Sequence, residues 1–201
     1  MKIAGLQKLS LIDYPQLPAA VIFSQGCNMK CPYCHNPQLV YPKLFENLLI
    51  EEEVFKFLSK RVKLLKGVVI TGGEPTIQKD LVEFILKIKN FGFLVKLDTN
   101  GTNPNILEEL ISKKIVDFIA MDIKTDFKKY HTFFSGDLNL IKTSINIIKS
   151  SNIVHLFRTT YDEDILQDID LHNIKNFIDK SNYIVQECNK HNVQVLQDYL
   201  N

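Results

Sequence analysis

The stretch Val68-Val69-Ile70-Thr71-Gly72-Gly73-Glu74-Pro75, followed by Leu81, Phe84, Ile85 and Ile88 and then by Leu94-Val95-Lys96-Leu97-Asp98, decides the fold. The first run is short, apolar and β-branched, which suits a buried strand. A glycine pair and a proline then break it, and apolar residues recur at helical spacing before a second short run begins. Strand, turn, helix and strand make the βαβ unit of a parallel sheet.

The same alternation continues in both directions. Strand-like runs occur at 20–24, 118–121, 154–158 and 183–185, besides 68–71 and 94–98. Helical spacing is carried by Val54, Phe57, Leu58, Val62 and Leu65, and by Ile106, Leu107, Leu110 and Ile111 behind an N-cap and N1 pair, Asn103 and Pro104. It returns at Ile141, Ile145 and Ile148, at Ile165, Ile169, Phe177 and Ile178, and in a short last segment at 191–200. Six such units permit an open doubly wound sheet or a curved partial barrel. A complete barrel needs eight units, for which 201 residues are too few. The expected fold is α/β, a partial (β/α)6 TIM-like barrel with parallel strands and helices outside, formed as one domain over 1–201. In either closure the chemistry collects at the C-terminal ends of the strands.

Composition narrows the function. A formal net charge of +1, with lysines spread over the helices, gives no field for nucleic acid or an acidic membrane surface. No apolar run has the length of a membrane span. The opening MKIAGLQKLSLIDYPQ is interrupted by Gln, Lys and Asp and does not read as a secretory signal, so a cytoplasmic location is expected. In a reducing cytosol, clustered cysteines are metal ligands or catalytic groups more often than disulfides.

Three of the four cysteines fall in one loop behind the run at 20–24: Gln25-Gly26-Cys27-Asn28-Met29-Lys30-Cys31-Pro32-Tyr33-Cys34-His35-Asn36-Pro37. Three thiolates on a four-iron cubane leave one iron without a protein ligand, and an open coordination site marks a catalytic centre. That iron can chelate the amino and carboxylate groups of a methionine moiety. The competing assignment is structural zinc on Cys27, Cys31, Cys34 and His35. Adjacent Cys34 and His35 reach one tetrahedral ion with difficulty, and no second ligand pair follows. Cys188 stands alone, as a small buried hydrophobe does, and is expected to hold no metal.

The later strands end in polar clusters. Gly72 and Gly73 allow close backbone approach, and Glu74 is expected to accept hydrogen bonds from an ammonium group. Asp98-Thr99-Asn100-Gly101 is a turn signal on its own. Asp122 and Lys124, two apart, point to the same side and suit ribose hydroxyls and a carboxylate. Arg158 either meets a ligand carboxylate or pairs with a neighbour such as Asp122.

The cysteine loop, C-x3-C-x2-C with Tyr33 before the last cysteine, resembles the signature of the radical S-adenosylmethionine (SAM) superfamily. The resemblance extends to Gly5-Leu6-Gln7-Lys8, Ser10–Pro15, Thr71–Thr76, Lys96–Pro104 and Ala120–Lys124, where the chain looks like the activating proteins of anaerobic ribonucleoside-triphosphate reductases, relatives of the pyruvate formate-lyase activating enzymes. It implies one [4Fe–4S] cluster on Cys27, Cys31 and Cys34, and SAM held by Tyr33, Gly72, Gly73, Glu74, Asp98, Asp122 and Lys124, with Tyr33 beside the adenine; Arg158 joins this set on its place at the neighbouring strand end. It implies reductive cleavage of SAM to raise a glycyl radical on a partner, an anaerobic ribonucleotide reductase, with a flavodoxin or ferredoxin-type electron donor. No general acid or base is required, so His131, His155, His172 and His191 need no catalytic role, and His35 is placed to tune the cluster. The alternative is a radical SAM enzyme acting on a small molecule such as a modified-base precursor. Tyr183-Ile184-Val185-Gln186-Glu187-Cys188 departs from the family pattern.

Overall fold

A computed structural model describes residues 1–189. Its seven strands are β1 (Ile3–Ser10), β2 (Ala19–Ser24), β3 (Gly67–Gly72), β4 (Leu94–Thr99), β5 (Phe118–Asp122), β6 (Val154–Tyr161) and β7 (Tyr183–Glu187). They lie side by side in chain order in one sheet. β1 pairs antiparallel with β2, and every other pairing is parallel. No pairing joins β7 to β1 among the described residues, so the sheet stays open at its side. Five helices form the crossovers: α1 (Glu51–Ser59), α2 (Leu81–Asn90), α3 (Pro104–Ser112), α4 (Leu138–Ser150) and α5 (Asp168–Ile178). This is the partial barrel expected from the alternation. The segment at 191–200, with His191, lies outside the described residues.

Strand alternation divides the interior in two. Ile22, Ile70, Leu97 and Ile119 face the helices and meet Leu58, Phe84, Ile85, Ile88, Leu107, Leu110, Ile141, Ile145 and Ile148 in one large core. On α2 the expected quartet Leu81, Phe84, Ile85 and Ile88 is fully buried, each residue contributing about 1.5–3 kcal/mol of burial. The opposite, concave face holds a smaller core of Tyr14, Ala19, Val21, Val69, Phe118 and Ala120. Tyr14, from the segment between β1 and β2, plugs the lower end of this face. Its ring meets Phe118 edge-on at 6.1 Å. It also lies so close to Gly67 that a Cβ there would sit 2.7 Å from it.

Five expectations change. β1 was not anticipated, because of its eight residues only Ile3 and Ser10 are buried and no alternation shows. The first helix stops at Ser59, leaving Val62 in a turn at 40% exposure, although Leu65 is buried. On α5 the core is met by Ile174 and Ile178, while Ile169 is 56% exposed and Ile165 precedes the helix. β7 is largely exposed rather than buried, as an edge strand is. Asn103 and Pro104 do start α3, but the Asn103 side chain donates to the Thr76 carbonyl (2.9 Å) instead of capping the helix. Among the described residues no helix is long and apolar enough to cross a membrane.

Candidate active site

A cavity of about 370 Å³ opens at the C-terminal ends of β2 to β6, within the size range of small-molecule sites. Cys27, Cys31 and Cys34 line it together with Asp98, Asp122, Lys124 and Arg158. Tyr33, Gly72, Gly73 and Glu74 line it as well. The topology therefore brings all the residues singled out from the sequence into one place.

The cysteine loop is fixed to the sheet by backbone contacts. Gly73 N–H donates to the Ser24 carbonyl (2.9 Å) and Glu74 N–H to the Gly26 carbonyl (2.8 Å). A Cβ on Gly73 would lie 2.0 Å from the Gly26 oxygen, and one on Gly72, whose φ is +109°, 2.6 Å from the Ser24 nitrogen. The glycine pair thus lets two strand ends touch beneath the loop, a demand that exists before any ligand arrives. Met29 sinks into the helix-side core. Tyr33 donates its hydroxyl to the Lys124 carbonyl (2.7 Å) and tilts against Phe133 (5.6 Å), so it packs the loop while also lining the cavity. Lys124 N–H in turn donates to the Tyr130 hydroxyl (2.9 Å).

All three thiols are half-buried. Burial pushes Cys27 up to about 11 and Cys31 up to about 12, and it also raises Cys34, while Lys124 pulls each of them down. Loading a metal must therefore displace protons from these sulfurs. Three soft donors on one loop beside a cation suit an iron–sulfur cluster. Zinc fits less well, since among the described residues no three His, Cys, Asp or Glu side chains converge as ligands of a single ion. His35 also lines the cavity. Cys188 is half-buried, with its sulfur 3.9 Å from His35 Nε2, at the rim rather than in the core.

Glu74 differs most from expectation. It is fully buried, and its carboxylate accepts from Thr76 N–H (3.0 Å), Thr76 Oγ1 (2.6 Å), Thr99 Oγ1 (2.8 Å) and Asn100 N–H (2.6 Å). Burial raises its pKa, and the four donors oppose that rise. The carboxylate stitches the end of β3 to the end of β4. An ammonium ligand would instead have to meet the backbone of this turn.

The remaining charges form one chain across three strands. Lys96 pairs with Asp98, Asp98 Oδ2 with Arg158 (3.3 Å), Arg158 Nε with Asp122 Oδ1 (2.7 Å) and Asp122 Oδ2 with Lys124 (3.0 Å). Thr71 Oγ1 also donates to Asp98 (3.2 Å). Burial alone would raise the Asp122 carboxyl, but Arg158 and Lys124 together hold it well below the usual carboxylate range. Arg158 therefore pairs with its neighbours and also lines the cavity. Sequence reasoning missed Lys96, although its place two residues before Asp98 puts both on one face of the strand. It also missed the mesh of Asn28, Asn100 and Thr102 that braces the cysteine loop, for which only the turn signal at 98–101 gave a hint.

A family model described as the Radical SAM superfamily matches residues 21–175. Over 193 residues the chain is 39% identical to a Methanocaldococcus jannaschii protein named as a glycyl-radical enzyme activating enzyme, covering 92% of this chain and 79% of that one. It is 32% identical over 127 residues to the pyruvate formate-lyase-activating enzyme of Clostridium pasteurianum, covering 61% of this chain and 52% of the relative. The crystal structure of Streptococcus suis SuiB bound to S-adenosylmethionine superposes with a TM-score of 0.67 at 16% identity, over 90% of this chain and 47% of that one, a likeness of fold alone.

Proposed function

The chain belongs to the radical SAM superfamily, and from that premise we propose that it is an activase that installs a glycyl radical on a partner enzyme, an anaerobic ribonucleoside-triphosphate reductase. Residues 1–201 act as one radical SAM domain in this reading. What carries it is the meeting of three loop thiols and a bank of paired charges in one cavity, together with likeness to a glycyl-radical enzyme activating enzyme over most of the chain. When bound, a [4Fe–4S] cluster supplies the electron for reductive cleavage of SAM.

The chain's own residues hold and orient. Cys27, Cys31 and Cys34 grip the cluster, on a loop already seated by Met29, Tyr33 and the backbone at Gly26. Asp122, Lys124 and Arg158 present fixed charge to the polar end of SAM, and because they neutralise one another they need little reorganisation when it binds. Asp98, bonded to Arg158 and Thr71, serves the same end of the ligand. The backbone at Gly72 and Gly73 is close enough to meet an ammonium group, and Tyr33 borders the adenine. Among the described residues the sheet is open between β7 and β1, so a loop of the partner can enter there and exclude water from the reacting groups. A flavodoxin or ferredoxin-type protein serves as electron donor.

The test is anaerobic. Reconstituted, reduced protein is mixed with SAM and the candidate reductase, and a glycine-centred EPR signal on the reductase is expected. SAM cleavage that leaves every candidate partner without that signal, while turning over a free metabolite, would overturn the activase reading in favour of a small-molecule enzyme.

A further inference from the structure

Among the described residues, Lys96 is the only buried lysine, at 4% exposure. Its register neighbours on the concave face are Val69 on β3 and Phe118 on β5, with Val21 beyond Val69 on β2. Its carbon stem therefore stands in an apolar layer, and its ammonium lies 5.9 Å from the centre of the Phe118 ring. Burying an ammonium is costly, and a hydrophobic residue of similar volume at such a site is commonly neutral or stabilising. Stability alone would favour a neighbour-like Val or Leu here. The ammonium instead reaches up one layer to pair with Asp98.

That contact fixes how the charge above it is shared. Lys96 takes Asp98 Oδ1, which leaves Oδ2 for Thr71 Oγ1 and Arg158. Asp98 thus has two cationic partners, Lys96 and Arg158, and Asp122 has two, Arg158 and Lys124. The guanidinium is balanced between two carboxylates of similar standing. Without Lys96, Asp98 has Arg158 as its only cation and draws it toward β4, away from Asp122.

We propose that Lys96 is a positioning residue for SAM: by capping Asp98 it keeps Arg158 shared between β4 and β5, with its remaining N–H donors available to the carboxylate of the methionine moiety. Lys96 itself does not line the cavity; it acts through Asp98. The inference rests on the reading of this cavity as a SAM site.

The test is a double-mutant cycle on anaerobically reconstituted protein, with SAM affinity measured by calorimetry and iron content and thermal unfolding followed alongside. Lys96→Met is expected to retain its iron and to bind SAM on the order of tenfold more weakly. In a chain already carrying Asp98→Asn, adding Lys96→Met should cost nothing further. Should Lys96→Met not fold, Lys96→Gln keeps a donor for Asp98 but not the charge, and the same loss is expected. Unchanged affinity in these Lys96 variants, or a loss that adds in full to that of Asp98→Asn, overturns the proposal. Wild-type protein that loads iron but binds no SAM would instead end the reading of the site itself.

Discussion

Replacing Glu74 by Gln changes one atom in the best-satisfied carboxylate of the site. One oxygen accepts from Thr76 N–H, Thr76 Oγ1 and Thr99 Oγ1, and the other from Asn100 N–H. A glutamine must put an NH2 at one of these positions. Hydroxyls can turn away, but a backbone N–H cannot, so either Thr76 or Asn100 is left as a donor facing a donor in a fully buried place. That orphan costs about 1–3 kcal/mol, and the surviving bonds lose their charge assistance, a further kcal/mol or so. A total of about 3 kcal/mol corresponds to a fall in Tm of roughly 6–12 °C for a chain of this size. Thr76→Val, which removes one hydroxyl donor and no acceptor of a backbone N–H, should cost only about 1 kcal/mol. Thermal unfolding followed by far-UV circular dichroism measures both. A Glu74→Gln chain that melts within a degree or two of wild type, yet has lost SAM binding, would refute the reasoning, since it would mean the carboxylate serves the ligand rather than the junction of β3 and β4.

Two other outcomes are expected. Gly67→Ala places a methyl 2.7 Å from the Tyr14 ring and should destabilise by about 1–3 kcal/mol through overpacking, a loss that Tyr14→Leu in the same chain should largely relieve; denaturant midpoints measure both. For Asp122 the folded pKa is depressed, so its stabilisation is complete above the ordinary carboxylate value near 3.9 and drains as the pH falls below it toward the lower folded value. The stability gap between wild type and Asp122→Asn should therefore be widest above about pH 5 and narrow steadily below about pH 4; a gap that widens on acidification would contradict the pairing with Arg158 and Lys124.

The parts of this fold that were legible in the sequence are those where burial is strongly one-sided. Val68–Ile70 and the Leu81, Phe84, Ile85 and Ile88 stripe declare themselves because each must be buried, and their order leaves few topologies. The cysteine loop was legible because its spacing is chemically restrictive. β1 was not, since it is held by backbone bonds to β2 rather than by an apolar face, and backbone bonds leave no pattern in side chains. The role of Glu74 was hidden for another reason. Its partners Thr99 and Asn100 lie some 25 residues downstream and become neighbours only through the pairing of β3 with β4. A carboxylate beside two glycines looks the same in sequence whether it serves a ligand or two hydroxyls and two amides. Lys96 was obscured by habit, because lysines are normally solvated.

Strand order that follows chain order also means that the two halves of the site come from successive stretches of the chain. Apart from the contact of His35 with Cys188, what seats the cysteine loop, from β1 through Phe133, comes from the first two thirds of the chain. The Asp98 and Asp122 carboxylates arrive with it on adjacent strands, but the guanidinium that links them arrives only with β6. Without that strand each carboxylate keeps one lysine, Asp98 with Lys96 and Asp122 with Lys124, but nothing joins the two pairs. β6 therefore has an electrostatic reason to lie beside β5, and the thiol loop and the completed bank of charges depend on separable parts of the chain.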